Sequence, residues 1–256
     1  MRNSKLTPVI LLLPLMAVTL TVIIACANVL LQSIGYVPAF GLTKITLGYY
    51  REVFKRPEFL SALWVSLRIA FVSMLLAAAL GTLLCAALVK RRAGGGMLYT
   101  VRFPILVPHT VVALFIMTLL GQTGIVARAA YGLGLISDYT KFPQILFTPG
   151  YGGAIAGYLW KEIPFVAYYT LALMASVSNT LGEAAENLGA SPLRSFFSVT
   201  LPMSLPAVSK AALIIFIYAF GGYELPALLG STLPKALPVQ AYITYLSPDL
   251  LQRPLA

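Results

Sequence analysis

Charged side chains are scarce in this 256-residue chain: they make up 10% of the residues, against 59% for hydrophobic ones. A soluble domain typically carries about 25% charged residues, so a chain this poor in charge cannot cover its surface for water. Long apolar runs take the place of charge, and a membrane-spanning helix needs about 20 apolar residues. We therefore predict an all-α integral membrane protein, a polytopic helical bundle.

The residue types that build metal and disulfide sites are also scarce. The chain has one histidine, His109, and two cysteines, Cys26 and Cys85, each inside an apolar run. They assemble neither a C-x-x-C metal motif nor a disulfide framework, and we predict no metal site. A phosphate-binding G-x-x-x-x-G-K-[ST] loop is also missing from the sequence. We therefore expect no resident cofactor in this chain.

Five apolar segments predict five membrane spans, at about 9–31, 60–89, 104–121, 151–176 and 206–229. The segments 124–149 and 231–256 are predicted to be loops. Ala25-Cys26-Ala27 resembles a signal cleavage site, but the first apolar run is too long for an ordinary leader, so we favour a retained anchor. These spans predict an N-terminal helix and outer loop at 1–45 and a core at 46–256, which starts with a short interfacial helix at 46–59.

The distribution of charge leaves the orientation open. With a cytoplasmic amino terminus beside Arg2 and Lys5, eight basic residues fall on the inner side and eight on the outer side. The compact cluster at 90–92, directly after a span, favours that orientation. Because basic residues are retained beside anionic lipid headgroups, the net charge of +10 does not indicate nucleic-acid binding.

A polar loop at about 178–204 separates the fourth and fifth predicted spans. Thr180 and Glu183 fit a capping box that would start a helix, and Gly189 fits a helix end with left-handed backbone. Ser191-Pro192 would begin a second short helix, which we expect to end at Leu201-Pro202. The loop is thus predicted to be a helix–turn–helix projecting from the bilayer.

The same loop carries a long motif. Glu183-Ala184-Ala185, then Gly189, then Val199-Thr200-Leu201-Pro202 closely resemble the signature E-A-A-x3-G-x9-I-x-L-P of permease subunits in bacterial ATP-binding-cassette importers. Val199 stands where isoleucine is usual. The resemblance implies a type I importer permease fold, a bacterial inner-membrane location and a protein that moves a solute without hydrolysing ATP itself.

That resemblance also implies partners and residue roles. The expected partners are an ATPase dimer that holds ATP and Mg, a second permease subunit, the same or different, and an extracytoplasmic solute-binding protein. The loop would be the coupling element that docks on the ATPase. The residues carried over for docking are Glu183, Ala184, Ala185, Glu186, Gly189, Pro192, Leu201 and Pro202. The family normally has one more helix after Gln252–Ala256, so we expect a sixth span beyond residue 256.

Charged residues inside spans are costly and by default suggest a function. Arg68 fits either snorkelling to the interface or a role in a solute pathway. Glu162, beside Trp160, Lys161 and the kink-forming Pro164, fits either a pathway residue or a structural ion pair. Tyr223 and Glu224 form a similar polar cluster beside Pro226. The predicted pathway candidates are Glu162, Trp160, Tyr223, Glu224 and Arg68.

The sequence specifies the identity of the solute less well than it specifies the transport role. The segment 223–230 looks most like the polyamine-type branch of the family, whereas related branches carry iron, thiamine, sulfate or molybdate. Two acidic pathway candidates agree with a cationic solute. The alternative function is a secondary transporter driven by an ion gradient through Glu162 and Glu224. A membrane-embedded lipid enzyme would need a clustered nucleophile or metal set, which the sequence does not provide.

Overall fold

The computed structural model describes residues 7–256, and side chains from residue 10 onward. The predicted inner residues Arg2 and Lys5 lie outside the described residues. Within the described part of the chain the regular structure is helical, apart from one isolated bridge between Val37 and Leu42. The all-α prediction is therefore confirmed.

The described residues form twelve α-helices in chain order. They are α1 (Thr7–Ser33), α2 (Gly48–Lys55), α3 (Pro57–Lys90), α4 (Gly95–Leu106), α5 (His109–Leu120), α6 (Ile125–Gly132), α7 (Gly152–Val177), α8 (Glu183–Asn187), α9 (Pro192–Ser195), α10 (Leu201–Phe220), α11 (Glu224–Leu229) and α12 (Leu237–Tyr245).

The chain divides into two compact units, one formed by residues up to 60 with 240–256, the other by 61–239. In the first unit, the described apolar side chains of α1 from Ile10 to Leu31 are exposed, as expected for a helix that faces lipid. The Ser33 and Tyr50 hydroxyls lie 2.8 Å apart and join α1 to α2. The predicted interfacial helix at 46–59 is present as α2. The predicted division at residue 45 stays a prediction.

The second unit is organised around α7, which contacts α4, α5, α10 and α11. Buried apolar side chains, among them Ile69, Val112 and Tyr158, form its largest core cluster. A Cβ at Gly81 would lie only 2.6 Å from the Val166 Cβ and 2.7 Å from the Ile163 carbonyl oxygen. The absence of a side chain at Gly81 therefore lets α3 and α7 approach closely, as small residues do between membrane helices.

Four stretches of the described residues are long and apolar enough to cross a membrane: Ile10–Ser33, Pro57–Lys90, His109–Gly132 and Pro192–Phe220. The predicted fourth span is present as α7, which is 26 residues long but carries two charges and is not among these four. The predicted loops at 124–149 and 231–256 are partly helical, because they contain α6 and α12. Alanine in α6 and a proline in the first turn of α12 favour helix at these positions.

Two predicted spans are interrupted. The span predicted at 104–121 consists of α4 and α5, because Pro108 disfavours helical backbone at Val107, whose ψ is 130°. The span predicted at 206–229 consists of α10 and α11, separated by Gly221–Tyr223. Two adjacent glycines weaken a helix at that point. Each of these two predicted spans is thus divided between two helices.

Candidate functional site

The predicted docking residues lie on one connection between α7 and α10, which we call the EAA loop (residues 178–202). Its first arm continues directly from α7 through a π-helical segment, Ser178–Gly182, into α8. Gly182 has helical backbone and the Thr180 hydroxyl donates to the Ser176 carbonyl oxygen at 2.8 Å. The predicted capping box was therefore wrong: nothing in 178–182 breaks the helix, so Thr180 lies inside it.

The turn at the tip agrees with the sequence. Gly189 follows α8 with φ of +94°, a left-handed conformation that glycine adopts at little cost. The Ser191 side chain accepts a hydrogen bond from the Arg194 backbone N–H, and Pro192 is at the first turn of α9. The predicted helix end and second helix start are confirmed as local structure.

The second arm does not end at Leu201-Pro202. After α9 the chain forms another π-helical segment, Phe196–Thr200, and continues directly into α10. Proline inside an α-helix removes a hydrogen bond and clashes with the preceding turn, and a π-helical segment beside it is one of the known ways in which helices absorb such irregularities. The prediction that Pro202 ends the helix was wrong for this reason.

The two arms are joined at their base. The Ser195 hydroxyl donates to the Gly182 carbonyl oxygen at 3.0 Å, and Ser195 and Thr200 are both buried. A Cβ at Gly182 would lie 3.2 Å from the Thr200 Oγ1. The glycine therefore permits a close contact that a larger residue would open.

The outer surface of the EAA loop is exposed. Glu183, Ala184 and Glu186 are exposed, and Leu188 at the tip is 90% accessible. Leu188 lies directly before the left-handed turn at Gly189. Beside it lies a groove of about 450 Å³, whose wall is completed by the end of α3. Across this groove the Arg92 guanidinium lies 3.7 Å from the Glu183 carboxylate.

The second candidate region lies where the two helix interruptions meet. A cavity of about 600 Å³, which we call the polar cavity, is lined by residues of both interruptions and of α7 and α10. The lining residues are Pro108, His109, Tyr158, Ile217, Tyr218, Gly221, Gly222, Tyr223, Glu224 and Leu225. Discontinuous membrane helices typically build such sites, because their ends leave backbone groups and polar side chains free for a solute.

His109 connects the two helix interruptions. Its Nδ1 lies 3.2 Å from the Tyr218 hydroxyl and 3.8 Å from the Glu224 carboxylate, and its ring is 6.2 Å from that of Tyr158. From the sequence His109 was considered as a metal ligand and not as a pathway residue, and its place in the polar cavity was missed. Its position directly after Pro108, at a helix interruption, was the signal that could have identified it.

Lys161 and Glu162 are buried on α7. The Lys161 ammonium donates to the Val107 carbonyl oxygen at 2.6 Å, an acceptor that the interruption after α4 leaves available. In the described residues no oxygen of Glu162 lies within 4 Å of Lys161, so the two do not form the close ion pair considered from the sequence. Lys161 therefore provides a hydrogen-bond donor at the end of α4, and Glu162 is a buried carboxylate next to it in the chain.

The other pathway candidates are placed differently. Tyr223 and Glu224 line the polar cavity, whereas Trp160 packs against Phe115 with ring centroids 5.3 Å apart. The Arg68 guanidinium donates to the Pro149 carbonyl oxygen. The structure thus brings two of the five candidates together at the cavity. Among the residues that the structure describes, no group of three metal-ligating side chains occurs.

Residues 78–250 match the family of binding-protein-dependent transport system inner membrane components. The chain belongs to this family. The predicted family is therefore confirmed. The match covers α7, the EAA loop and both helix interruptions, so both candidate regions lie within the matched residues.

Among curated proteins, this transport-system component is similar to several permeases with different named solutes. It is 26% identical to the putrescine transport system permease protein PotI of Escherichia coli over 66% of this chain and 55% of that protein. It is 28% identical to the sn-glycerol-3-phosphate transport system permease protein UgpA of Pectobacterium atrosepticum over 85% of this chain and 74% of that protein. It is 26% identical to the molybdenum transport system permease protein ModB of Haemophilus influenzae over 64% of this chain and 69% of that protein.

The match to PotI thus spans just over half of that relative's length. Among solved structures, a bacterial transporter involved in the import of the acidic polysaccharide alginate is similar in fold, with a TM-score of 0.72 and 21% identity over 97% of this chain and 90% of that one. A second structure shows a bacterial alginate transporter in complex with an alginate-bound periplasmic protein, with a TM-score of 0.71 and 19% identity. These structures confirm the importer permease fold. The relatives do not single out the polyamine branch.

Proposed function

We propose that this chain is the transmembrane permease subunit of an ATP-driven importer, and that it forms the solute pathway and couples to a cytoplasmic ATPase through the EAA loop. One observation carries the proposal. In a chain of this family, the motif residues form an exposed helix–turn–helix whose arms continue into two long helices of the second unit. ATP hydrolysis belongs to a separate subunit.

Each carried-over docking residue has a physical role in this proposal. Glu183 and Glu186 present charge on the outer surface, and Ala184 and Ala185 let a partner's backbone approach closely. Gly189 supports the left-handed turn at the tip. Pro192, Leu201 and Pro202 shape the second arm. Docking moves the loop, and because each arm is continuous with a long helix, ATP binding biases the packing of the second unit.

The proposed assembly has two ATPase subunits, which hold ATP and Mg, a second permease subunit and an extracytoplasmic solute-binding protein. The alginate transporter in complex with a periplasmic protein supports the last partner by analogy of fold. The chain is placed in the bacterial inner membrane with a cytoplasmic amino terminus. The Arg92–Glu183 pair supports this orientation, because it brings the basic cluster at 90–92 beside the EAA loop.

For the solute we propose a small polar molecule of the polyamine type. The putrescine permease among the relatives supports this choice, and so does Glu224 at the polar cavity. The glycerol-3-phosphate and molybdenum permeases show that the family carries other solutes as well. The fold alone therefore does not specify the solute.

The test is to purify the tagged chain in mild detergent from its native membranes and to measure co-purifying subunits and ATP hydrolysis. We expect a stoichiometric ATPase, and we expect Gly189→Trp to lower its retention at least tenfold. Gly134→Trp is the matched control, because Gly134 also has positive φ and open space around it but lies outside the EAA loop. Normal ATPase retention by Gly189→Trp, or a chain that purifies alone and transports with an ion gradient, would overturn the proposal.

A further inference from the structure

One acidic side chain lines the polar cavity, in a region where unpaired charge is costly. It is Glu224, whose side chain is 54% exposed, and Glu162 is buried on α7 one turn after the cavity residue Tyr158. Among the described residues that line the cavity, none is a lysine or an arginine. An ionised carboxylate at membrane depth is stabilised by a cation.

The available cations do not satisfy both carboxylates. Lys161 is next to Glu162 in the chain, but its ammonium is hydrogen-bonded to the Val107 carbonyl oxygen and does not line the cavity. His109 carries charge only when it is protonated, and its Nδ1 is already within hydrogen-bond distance of Tyr218. The cavity therefore has one carboxylate, that of Glu224, in excess of the fixed cations around it.

The rest of the wall is aromatic. Tyr218 and Tyr223 are both more than 40% exposed and line the cavity, Tyr218 from α10 and Tyr223 from the interruption between α10 and α11. Tyrosine faces attract ammonium groups through their quadrupole, and tyrosine hydroxyls accept hydrogen bonds from them. Gly222 is also required here, because a Cβ at that position would overlap the Tyr158 hydroxyl. The glycine keeps the tyrosines close together at the wall.

We propose that Glu224, Tyr218 and Tyr223 form a subsite that binds one ammonium group of a cationic solute at the interruption between α10 and α11. The inference rests on the proposed transport function and assigns its solute class from the cavity. Neutral sugars would leave the Glu224 carboxylate uncompensated, and oxyanions would meet a like charge. The subsite therefore favours amines over both.

The test places a reporter thiol in the cavity without changing the subsite. Ile217 lines the cavity, is exposed and carries no polar group, so Ile217→Cys is made in a Cys26→Ser, Cys85→Ala background. The rates of reaction with a cationic aminoethyl and an anionic sulfonatoethyl methanethiosulfonate are each divided by the rate with free glutathione. Clefts lined by one sign of charge raise the local concentration of the opposite ion, so we expect a cation preference of about tenfold.

Glu224→Gln should reduce this preference to about twofold or less, whereas Glu52→Gln, which removes an acid from the other unit, should leave it unchanged. Putrescine should slow the labelling of Ile217→Cys by about fivefold, and Glu224→Gln should raise the putrescine concentration needed by about tenfold, as expected for a lost charge contact. Trehalose and molybdate at equal concentration should not slow labelling. Tyr218→Phe should weaken the putrescine effect while it leaves the cation preference intact.

Equal rates for the two reagents, or protection by trehalose or molybdate and not by putrescine, would overturn the subsite. These outcomes are distinguishable from failure of the transport proposal, because ATPase retention by the same preparation is measured separately. A chain that retains its ATPase and shows no cation preference keeps the proposed function and loses the subsite. A chain that shows the cation preference but retains no ATPase keeps the subsite and loses the proposed function.

Discussion

The EAA loop and the polar cavity are both built where helices deviate from regularity, but the deviations are of opposite kinds. At the EAA loop, two π-helical segments widen the helix and the chain remains helical on either side of one turn. At the cavity, Pro108 and the Gly221–Tyr223 segment stop the helices, so that α5 and α11 start again. A π-helical segment keeps backbone groups satisfied, whereas a true interruption exposes them.

The two regions therefore have different requirements: the EAA loop must be rigid, and the polar cavity must bind a solute. The loop needs a fixed shape and gains it from the Ser195–Gly182 hydrogen bond and from continuity with α7 and α10. The cavity needs exposed polar groups and obtains them from helix ends, one of which is stabilised by Lys161. Substitutions in the two regions should therefore differ in their effects on stability and on coupling.

The largest expected effect is at the helix interruption after α4. Lys161→Met leaves the Val107 carbonyl oxygen without its charged donor, and we expect a loss of about 3 kcal/mol in the free energy of unfolding. Unfolding in mild detergent is followed by a thiol-reactive dye at buried Cys85 in a Cys26→Ser background.

Lys235→Met is the matched control for this prediction. Its ammonium also donates to a carbonyl oxygen, that of Thr232 at 2.8 Å, but it is not among the residues beside Glu162. We expect a loss of less than about 1 kcal/mol for this exposed hydrogen bond. Equal losses for both lysine variants would show that Lys161 has no special role at the interruption.

A smaller effect is expected from Gly182→Leu at the base of the EAA loop. The added side chain would meet Thr200 and Ser195, and overpacking of this kind costs about 1–3 kcal/mol. Because the two arms would separate, ATPase retention should fall severalfold, while the cation preference of the cavity should persist. A loss of cation preference in this variant would contradict the separation of the two regions.

Ser195→Ala should have an effect of about 1 kcal/mol on the free energy of unfolding, because it leaves the Gly182 carbonyl oxygen without this buried partner. The same dye assay measures it. Ser191→Ala, which removes an exposed cap of α9, is the comparison within the loop. If Ser195→Ala costs no more than Ser191→Ala, the arms are not joined by this hydrogen bond.

The smallest effect is expected from Arg92→Ala. The Arg92–Glu183 pair is mostly exposed and its charged atoms are 3.7 Å apart, so we expect a change of less than about 0.5 kcal/mol. Its influence on ATPase retention should also be less than about twofold. A tenfold change in retention would show that Arg92 itself contacts the ATPase.

Several helices and the turn of the EAA loop were predictable from the sequence, because they depend on residues that are close together in the chain. The long apolar runs predicted α1, α3, α7 and α10, and Gly189 predicted the turn, since each depends on residues close together in the chain. The capping box at Thr180 failed because the local pattern also fits a helix interior. Only the continuation of α7 through that position decides between the two.

The polar cavity was predictable only in part. Tyr223 and Glu224 were identified as intramembrane polar residues, but His109 and Tyr218 join them through packing between helices that are distant in sequence. The segments 104–121 and 206–229 were each predicted as one span, because proline and glycine signal a weakened helix without showing whether it stops. A structural ion pair was one of the alternatives considered for Glu162, whereas Lys161 donates to a carbonyl group at the end of another helix.

The first arm of the EAA loop has a mechanical consequence. The chain is helical without a stop from Gly152 through Asn187, a rod of about 50 Å at the usual helical rise. Tyr158, in the wall of the polar cavity, is near one end of that rod, and Glu183 is near the other. A tilt of about 5° about one end displaces the opposite end by about 4 Å, which exceeds the length of a hydrogen bond. One continuous helical segment thus connects the wall of the polar cavity to the EAA loop.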